Sequence, residues 1–131
     1  MNRFRSKLQG MQTRKSIYTC LTCLSDYREK TKQCACGSRD LHYFPSTAEM
    51  QRFKTLRLEE HYGQIDGLNL QPAFPIRING VLITTYKADF EYARNGQRVV
   101  EDVKGLETDV FKLKKKLVEA EYGIRLTIVK G

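Results

Sequence analysis

Hydrophobic residues that recur with a helical period predict a first helix over residues 46–62. Ser46 is its N-cap candidate, and Glu49 follows three residues later, which is the spacing of a capping box. At about 100° per residue, Glu49 shares a face with Phe53 and Leu56, and this face is expected to meet the core. Two interpretations of Glu49 stay open from this segment alone: a capping residue, or a carboxylate directed at a functional site.

A second helix is predicted over residues 106–123. Glu107 or Thr108 begins this helix, and Gly123 ends it. The aliphatic residues of the segment recur at helical spacings, so we expect them to form its core-facing stripe. They are Leu106, Val110, Leu113, Leu117 and Ala120.

Runs of β-branched and aromatic residues predict strands between and after the helices. The Asn-Gly dipeptides at 79–80 and 95–96 are hairpin-turn signals. Pro72 and Pro75 mark an edge strand or an irregular extended segment before the first of these turns. Further strands are predicted at 81–93, 97–105 and 124–130.

The predicted order of elements is helix, three-strand meander, helix and strand. A strand–helix–strand unit favours a parallel pair, so the last two strands are expected to lie side by side and parallel. The sequence therefore predicts the α/β fold class for residues 45–131. A cysteine-rich segment precedes this domain over residues 16–44, and a basic, flexible arm is expected over residues 1–15.

All four cysteines of the chain lie close together, with the spacing Cys20-x2-Cys23-x10-Cys34-x-Cys36. Two close pairs can supply four convergent thiolates to a tetrahedral zinc ion, and the residues between the pairs can form a small hairpin. The alternative is two disulfides, which a chain without a secretion signal disfavours. His42 could replace one cysteine as a ligand. The spacing predicts a zinc ribbon with a structural Zn²⁺ ion.

Charge is unevenly distributed along the chain, which has a net charge of +8. Residues 1–45 carry nine Lys and Arg against three acidic residues, whereas residues 46–131 carry fourteen against twelve. A basic first third predicts a polyanionic partner, nucleic acid first and an acidic membrane surface second, with a solvated tail as the alternative. No apolar run approaches the roughly 20 residues of a membrane helix. We therefore expect a soluble, cytoplasmic protein.

Charged residues interrupt the predicted strands at positions where a sheet should be covered. Because strand side chains alternate with a period of two, Asp102 and Lys104 share one face, and Glu101 points to the other. A hairpin would bring Asp89 beside Asp102. Two adjacent carboxylates repel each other unless a cation lies between them, and Mg²⁺ accepts such oxygen ligands. The alternative is an ordinary Asp–Lys pair on a solvent-facing strand.

Asp89 followed by Asp102-Val103-Lys104 resembles the D…(D/E)-x-K motif of the PD-(D/E)xK nuclease superfamily. The common core of that superfamily is helix, three-strand meander, helix, strand. The segments STAEMQRF, LQPAF, KADFEY, NGQRVVEDVKG and FKLKKKLVEAEYGI resemble, in that order, a small phage and prophage family of the superfamily. The pattern ADF…NG…V(E)xxKG is also similar to phage endonuclease I, a Holliday-junction resolvase. Ala88 stands where the superfamily name has proline.

The resemblance covers residues 46 to about 128 and implies a restriction-endonuclease-like α-βββ-α-β core. It implies a Mg²⁺- or Mn²⁺-dependent DNA endonuclease that cuts branched DNA, such as Holliday junctions, in phage recombination or replication. Glu49, Asp89 and Asp102 are the implied metal ligands, with Glu101 as the fallback for Asp102. Lys104 is the implied catalytic lysine, which orients or activates the attacking water.

Several basic residues are candidates for nucleic-acid contact: Arg14, Lys15, Lys112, Lys115 and Lys116. For the helix lysines, the alternative is a solvated face with pairs such as Lys115–Glu119. Gln71 also matches the family, either as a positioning residue or as part of an edge strand. We expect a homodimer, because a resolvase cuts two strands symmetrically. Two rival interpretations stay open: a non-catalytic zinc-ribbon DNA-binding protein, and a nuclease for single strands, flaps or RNA.

Overall fold

A computed structural model describes residues 17–131, in which two helices and nine strands are present. Arg14, Lys15 and the rest of the predicted basic arm lie outside the described residues. The chain divides into two compact units, one that ends at Lys54 and one that runs from Thr55 to Gly131. This boundary falls inside the first helix, whereas the sequence analysis placed it just before that helix.

The first unit contains a small antiparallel sheet of three strands in the order β2-β1-β3. Its strands are β1 (Ile17–Cys20), β2 (Asp26–Tyr27) and β3 (Leu41–Phe44). The hydroxyl of Thr19 donates to Asp26 Oδ1 at 2.8 Å, which ties β1 to β2. The residues between the two cysteine pairs do not form a hairpin of their own, because their strand β2 pairs with β1 instead.

The first helix, α1 (Thr47–His61), starts where the capping pattern predicts. The hydroxyl of Ser46 accepts a hydrogen bond from the backbone N–H of Glu49 at 3.2 Å, which satisfies one of the donors left open at a helix start. Phe53 of α1 is fully buried, and its ring centroid lies 5.3 Å from that of Phe44. Ser46 is therefore confirmed as the N-cap.

The second unit contains the remaining strands and the second helix, α2. These elements are β4 (Asp66–Leu70), β5 (Ala73–Ile78), β6 (Val81–Lys87), β7 (Phe90–Arg94), β8 (Gln97–Lys104), α2 (Asp109–Tyr122) and β9 (Leu126–Lys130). Four of the strands form a sheet in the order β4-β7-β8-β9. Within it, β8 and β9 are parallel and joined through α2, as predicted, while the other neighbours are antiparallel. The α/β class is therefore confirmed.

The strand predicted over residues 81–93 is wrong in one respect, because the chain breaks it at Ala88 and Asp89. Here the backbone N–H of Ala88 donates to Pro72 O at 3.1 Å, and the N–H of Gln71 donates to Asp89 O at 2.9 Å. Residues before the break form β6, which pairs only with β5 in a separate two-stranded sheet. The predicted meander across both Asn-Gly turns is therefore wrong in its first half, because β5 and β6 form a hairpin of their own and β4 is the strand that pairs with β7 beside β8.

Both Asn-Gly turns form as predicted. Asn79 and Gly80 have φ values of 49° and 78°, and Asn95 and Gly96 have 52° and 76°. Left-handed backbone at both central positions is the requirement of the tight hairpin turn that Asn-Gly favours. The second turn fixes the register in which β7 faces β8.

The core-facing stripe predicted for α2 is wrong, although its two ends are correct. Thr108 is the N-cap, and Gly123, with a φ of 64°, ends the helix. The residues that α2 buries are Phe111 and Val118, which are seven positions apart and share a face. Leu117 lies at the edge of this face and is partly buried. The other predicted core residues are exposed: Leu106 (79%), Val110 (63%), Leu113 (59%) and Ala120.

The core of the second unit lies between α2, the β5–β6 hairpin and the inner strands of the main sheet. Its buried residues are Phe74, Ile76, Tyr86, Ala88, Val100, Phe111, Val118 and Leu126. The ring centroids of Tyr86 and Phe111 are 6.3 Å apart. Within residues 17–131, neither helix has the length and hydropathy that crossing a membrane requires.

Candidate functional site

The four cysteine sulfur atoms converge on one point of the first unit. Cys20 Sγ lies 3.7 Å from Cys36 Sγ, and Cys23 Sγ lies 3.4 Å from Cys34 Sγ. All four sulfurs lie within 4.8 Å of one another. Tetrahedral Zn²⁺ with bonds of about 2.3 Å separates its ligand sulfurs by about 3.8 Å. The cluster therefore has the size of a four-thiolate zinc site.

Two tight turns bring the cysteine pairs into this arrangement. In the first, the N–H of Leu24 donates to Cys20 O at 2.9 Å, and Leu24 has a φ of 67°. In the second, the N–H of Gly37 donates to Cys34 O at 2.9 Å, and Gly37 has a φ of 95°. A left-handed residue at that position favours glycine, as the sequence predicts.

Hydrogen bonds around the cluster favour thiolates at two of the cysteines. The backbone N–H of Cys23 lowers the pKa of the Cys20 thiol to about 6, against the opposing effect of burial. The backbone N–H of Cys36, and then the hydroxyl of Tyr27 at 3.2 Å, lower the pKa of the Cys34 thiol. Thiolates bind metal and thiols do not, so these donors prepare the Cys20 and Cys34 sulfurs for a cation. At Cys36 the backbone N–H of Ser38 lowers the pKa, but the neighbouring cysteines, Cys34 first, outweigh it and raise the pKa to about 12.

The geometry favours a four-cysteine metal site over the alternatives considered above. All four cysteines are free, and sulfurs more than 3 Å apart are far from the roughly 2.05 Å of a disulfide bond. His42 is outside the cluster and pairs with Thr19 across β1 and β3. Among residues 17–131, no other set of three or more His, Cys, Asp or Glu ligand atoms converges as closely.

A second polar group lies in the second unit, where the buried end of β8 carries Asp102. Its side chain is almost fully buried, with 1% of the residue exposed. The hydroxyl of Tyr86 donates to Asp102 Oδ2, and Lys104 Nζ lies 3.2 Å from Asp102 Oδ1. Asp102 and Lys104 therefore share a face, as the period of two predicts.

The oxygen Oδ1 of Asp102 has an unused hydrogen-bonding capacity. Lys104 is within ion-pair distance of it, but no donor among the described residues reaches it in hydrogen-bond geometry. A buried carboxylate oxygen normally accepts hydrogen bonds, because leaving it bare is costly. Asp102 Oδ1 is therefore ion-paired with Lys104 and has capacity left for a further partner.

Asp89 lies beside this group, in the break between β6 and β7. Its Oδ2 accepts a hydrogen bond of 2.7 Å from the backbone N–H of Val103, the residue directly after Asp102. Both carboxylates raise the pKa of Tyr86, after burial, which is the largest cause. Tyr86 is therefore a neutral hydrogen-bond donor between two acidic side chains. The structure brings together three of the four residues predicted to be catalytic: Asp89, Asp102 and Lys104.

Glu101, the fallback for Asp102, faces the other way. It is fully buried, and Tyr92 donates its hydroxyl proton to Glu101 Oε2 at 2.6 Å. Asp102 and Glu101 thus accept hydrogen bonds from different tyrosines, which lie on opposite faces of β8. The bond to Tyr86 places Asp102, and not Glu101, with Asp89.

Four further predicted site residues lie on the two helices. Glu49 is in the first turn of α1, in the first unit. Lys112, Lys115 and Lys116 are on α2, where Lys115 is partly buried and the other two are exposed. The considered pair of Lys115 with Glu119 does not form within ion-pair distance. Instead, Glu119 Oε2 accepts from the N–H of Leu126 at 2.9 Å.

A pocket of about 280 Å³ opens next to Lys104 in the second unit. It is lined by Thr85, Tyr86, Lys87, Lys104, Thr108, Val110, Phe111 and Lys114. Sequence reasoning missed Lys87 and Lys114. Lys87 stands two positions before Asp89, and Lys114 follows Phe111 by three, so it lies on the inner side of α2. Correct assignment of the buried face of α2 would have identified Lys114.

Gln71 acts through its backbone. With a φ of 51°, it has the left-handed conformation, in which its N–H reaches the carbonyl of Asp89 at 2.9 Å. This bond holds the chain where it turns away from β6 and presents the Asp89 side chain to β8. The contact is made by the backbone and assigns no role to the Gln71 side chain.

The chain belongs to the family described as "Protein of unknown function (DUF1064)", whose pattern matches residues 27–131. The matched range includes Asp89, Asp102 and Lys104, together with Cys34 and Cys36. Comparisons with curated proteins and with solved structures find no match.

Proposed function

We propose that this protein is a Mg²⁺-dependent DNA endonuclease that acts on branched DNA. The carrying observation is the buried Asp102 carboxylate, which has a bare oxygen, lies against Lys104 and has Asp89 beside it. Mg²⁺ is commonly held by one or two carboxylates together with phosphate oxygens of the substrate. The residues present fit that requirement. Mn²⁺ has the same ligand preference.

Each residue of the group has a defined part in the proposed reaction. Asp89 and Asp102 would hold the cation, which would supply charge neutralisation and a more acidic water. Lys104 donates a hydrogen bond to the attacking water or to a phosphate oxygen. Tyr86 fixes the Asp102 carboxylate through Oδ2 and leaves Oδ1 available. In the overall reaction, a water oxygen bonds to phosphorus, one P–O ester bond breaks, and the leaving oxygen gains a proton.

Further support comes from the order of elements. α1, the antiparallel strands β4, β7 and β8, α2 and the parallel strand β9 follow the order implied by the resemblance to PD-(D/E)xK nucleases. Glu49 remains in the proposal as a third acidic ligand on the strength of that resemblance. The cysteine cluster would hold a structural Zn²⁺ and, with the basic N-terminal third, contact the DNA backbone. We further propose a homodimer, since two strands of a junction need two sites.

The experiment is to incubate the protein with a four-way junction, a duplex, a flap and a single strand, each with Mg²⁺ or with EDTA. We expect cleavage that requires Mg²⁺, is fastest on the junction, and is lost in Asp102→Asn, a variant of nearly unchanged shape. If the folded protein cut none of these DNAs with Mg²⁺ or Mn²⁺, the endonuclease proposal would be contradicted. Binding without cleavage would leave a DNA-binding protein.

A further inference from the structure

The pocket beside Lys104 differs in charge from the neighbouring group formed by the Asp89 and Asp102 carboxylates. Three of its lining residues are lysines, Lys87, Lys104 and Lys114, and none of its lining residues is acidic. Neither Lys87 nor Lys114 has a carboxylate within 4 Å among residues 17–131. Two cations without counter-charges, at the edge of a cavity, are placed to bind an anion.

Lys104 joins the pocket to the acidic group. Its Nζ lies 3.2 Å from Asp102 Oδ1 and 4.8 Å from the centroid of the Phe111 ring, so the ammonium is held between the carboxylate and the aromatic wall. Asp89 and Asp102 are not among the residues that line the pocket. An anion in the pocket would therefore meet Lys104 without meeting either carboxylate.

The other lining groups suit a phosphate better than a nucleobase. The Lys104 ammonium lies over the face of the Phe111 ring, where a base would have to stack. Thr85 and Thr108 add hydroxyl groups at the wall, and Thr108 is also the N-cap of α2, where the helix dipole is positive. The walls thus offer ammonium and hydroxyl groups, and Lys104 covers one face of the Phe111 ring.

We propose that this lysine pocket is a second phosphate site, which holds a backbone phosphate next to the one that is cut. Lys87 and Lys114 bind that phosphate, and Lys104 lies between the two sites. The identity of the polymer rests on the proposed nuclease function, whereas the anion site rests on the pocket alone. The site would fix the register of the strand over Asp89 and Asp102.

The test compares the double variant Lys87→Gln/Lys114→Gln with the double variant Arg77→Gln/Arg125→Gln. Each removes two exposed or partly exposed positive charges, but only the first pair lines the pocket. Binding of a fluorescent single strand and of a four-way junction is measured in EDTA over a range of salt. For the pocket variant we expect roughly tenfold weaker binding and a slope of log K against log salt that is smaller by about one per lysine. The control should keep the wild-type slope.

A second measurement does not depend on any variant. Sodium phosphate and pyrophosphate are titrated into the wild-type protein, and backbone amide shifts are followed by NMR. We expect saturable shifts at Thr85, Lys87, Thr108 and Lys114. Equal salt slopes for both double variants, or the absence of saturable shifts at these amides, would overturn the phosphate site.

The two proposals can fail separately. A wild-type protein that binds DNA through Lys87 and Lys114 but cuts no substrate would support the pocket and contradict the endonuclease. A protein that cuts DNA with Mg²⁺, and whose pocket variant binds like the Arg77/Arg125 control, would support the endonuclease and contradict the pocket.

Discussion

Lys104 and Asp102 form an ion pair in which one partner is almost fully buried and the other is a third exposed. The pair is close, at 3.2 Å, yet the lysine does not satisfy Asp102 Oδ1 by a hydrogen bond. An ion pair that served only stability would gain from better alignment, since burying a carboxylate is costly. The geometry instead leaves both groups able to contact a third group, as the proposed function requires.

Replacing Lys104 by alanine should lower the cleavage rate far more than it weakens DNA binding. Loss of one positioned donor to the transition state typically costs a factor of about 10²–10³ in rate. Single-turnover cleavage of a junction in Mg²⁺ and gel-shift binding in EDTA measure the two properties. Arg125→Ala removes an exposed positive charge elsewhere and should cut at the wild-type rate. Retained cleavage by the Lys104 variant would count against its assigned role.

Glu49 can be tested apart from its role at the start of α1. Glutamine also serves the third position of a capping box, so Glu49→Gln should change the unfolding free energy by less than about 0.5 kcal/mol. If Glu49 is a metal ligand, the same variant should lose cleavage by at least about a hundredfold. Ser46→Ala gives the opposite test, because it removes the observed cap and should cost about 1 kcal/mol while cleavage persists.

The cysteine cluster predicts one tightly bound zinc ion per chain, measurable by elemental analysis of the purified protein. Cys34→Ser should lose the metal and the fold of the first unit together, because small metal sites and their folds are thermodynamically coupled. Ser25→Ala is the control, since its hydroxyl lies 3.1 Å from Cys23 Sγ but is not a ligand. A Cys34 variant that kept stoichiometric zinc would contradict the four-thiolate site.

The sequence was most informative where a short-range rule decides the geometry. The period of two in β8 separates Asp102 from Glu101 correctly, and the contacts of Tyr86 and Tyr92 show it. The Asn-Gly turn at 95–96 likewise places Asp89 opposite the end of β8. Cysteine spacing similarly predicted the convergence of four sulfurs. These are local rules of backbone geometry, and one sequence contains all the information they need.

Prediction failed where two patterns of similar strength compete. Segment 106–123 offers a long aliphatic stripe and a shorter one that contains Phe111 and Val118, and the shorter stripe is the buried one. Packing of Phe111 against Tyr86 in the folded protein decides between the two stripes. The sequence of the helix alone does not contain that information. The same error hid Lys114, which lies on the inner side of α2. The break at Ala88 was missed for a related reason, because its partner Pro72 is distant in sequence.

His42 should make the first unit less stable in mild acid. Burial lowers the pKa of His42 below its usual 6.5, with Asp40 opposing, so the unfolded chain takes up a proton more readily than the folded one. Stability is then complete above about pH 6.5 and falls as the pH decreases toward the folded pKa. His42→Phe keeps a ring against Phe44, 4.7 Å away, and removes this titration. Thermal unfolding at pH 7.5 and 5.5 should show a smaller decrease for the variant, and equal decreases would contradict the prediction.

Two tyrosines provide a matched test of which acidic residue of β8 binds metal. Tyr86→Phe removes the hydroxyl that donates to Asp102, and Tyr92→Phe removes the hydroxyl that donates to Glu101 on the other face. Each should cost about 1.5–3 kcal/mol of stability, because each removes a hydrogen bond to a buried charged group. Only Tyr86→Phe should raise the Mg²⁺ concentration needed for half-maximal cleavage, by about 10- to 100-fold, as loss of a group that orients a metal ligand does. A Mg²⁺ requirement that changed in Tyr92→Phe and not in Tyr86→Phe would transfer the ligand role from Asp102 to Glu101.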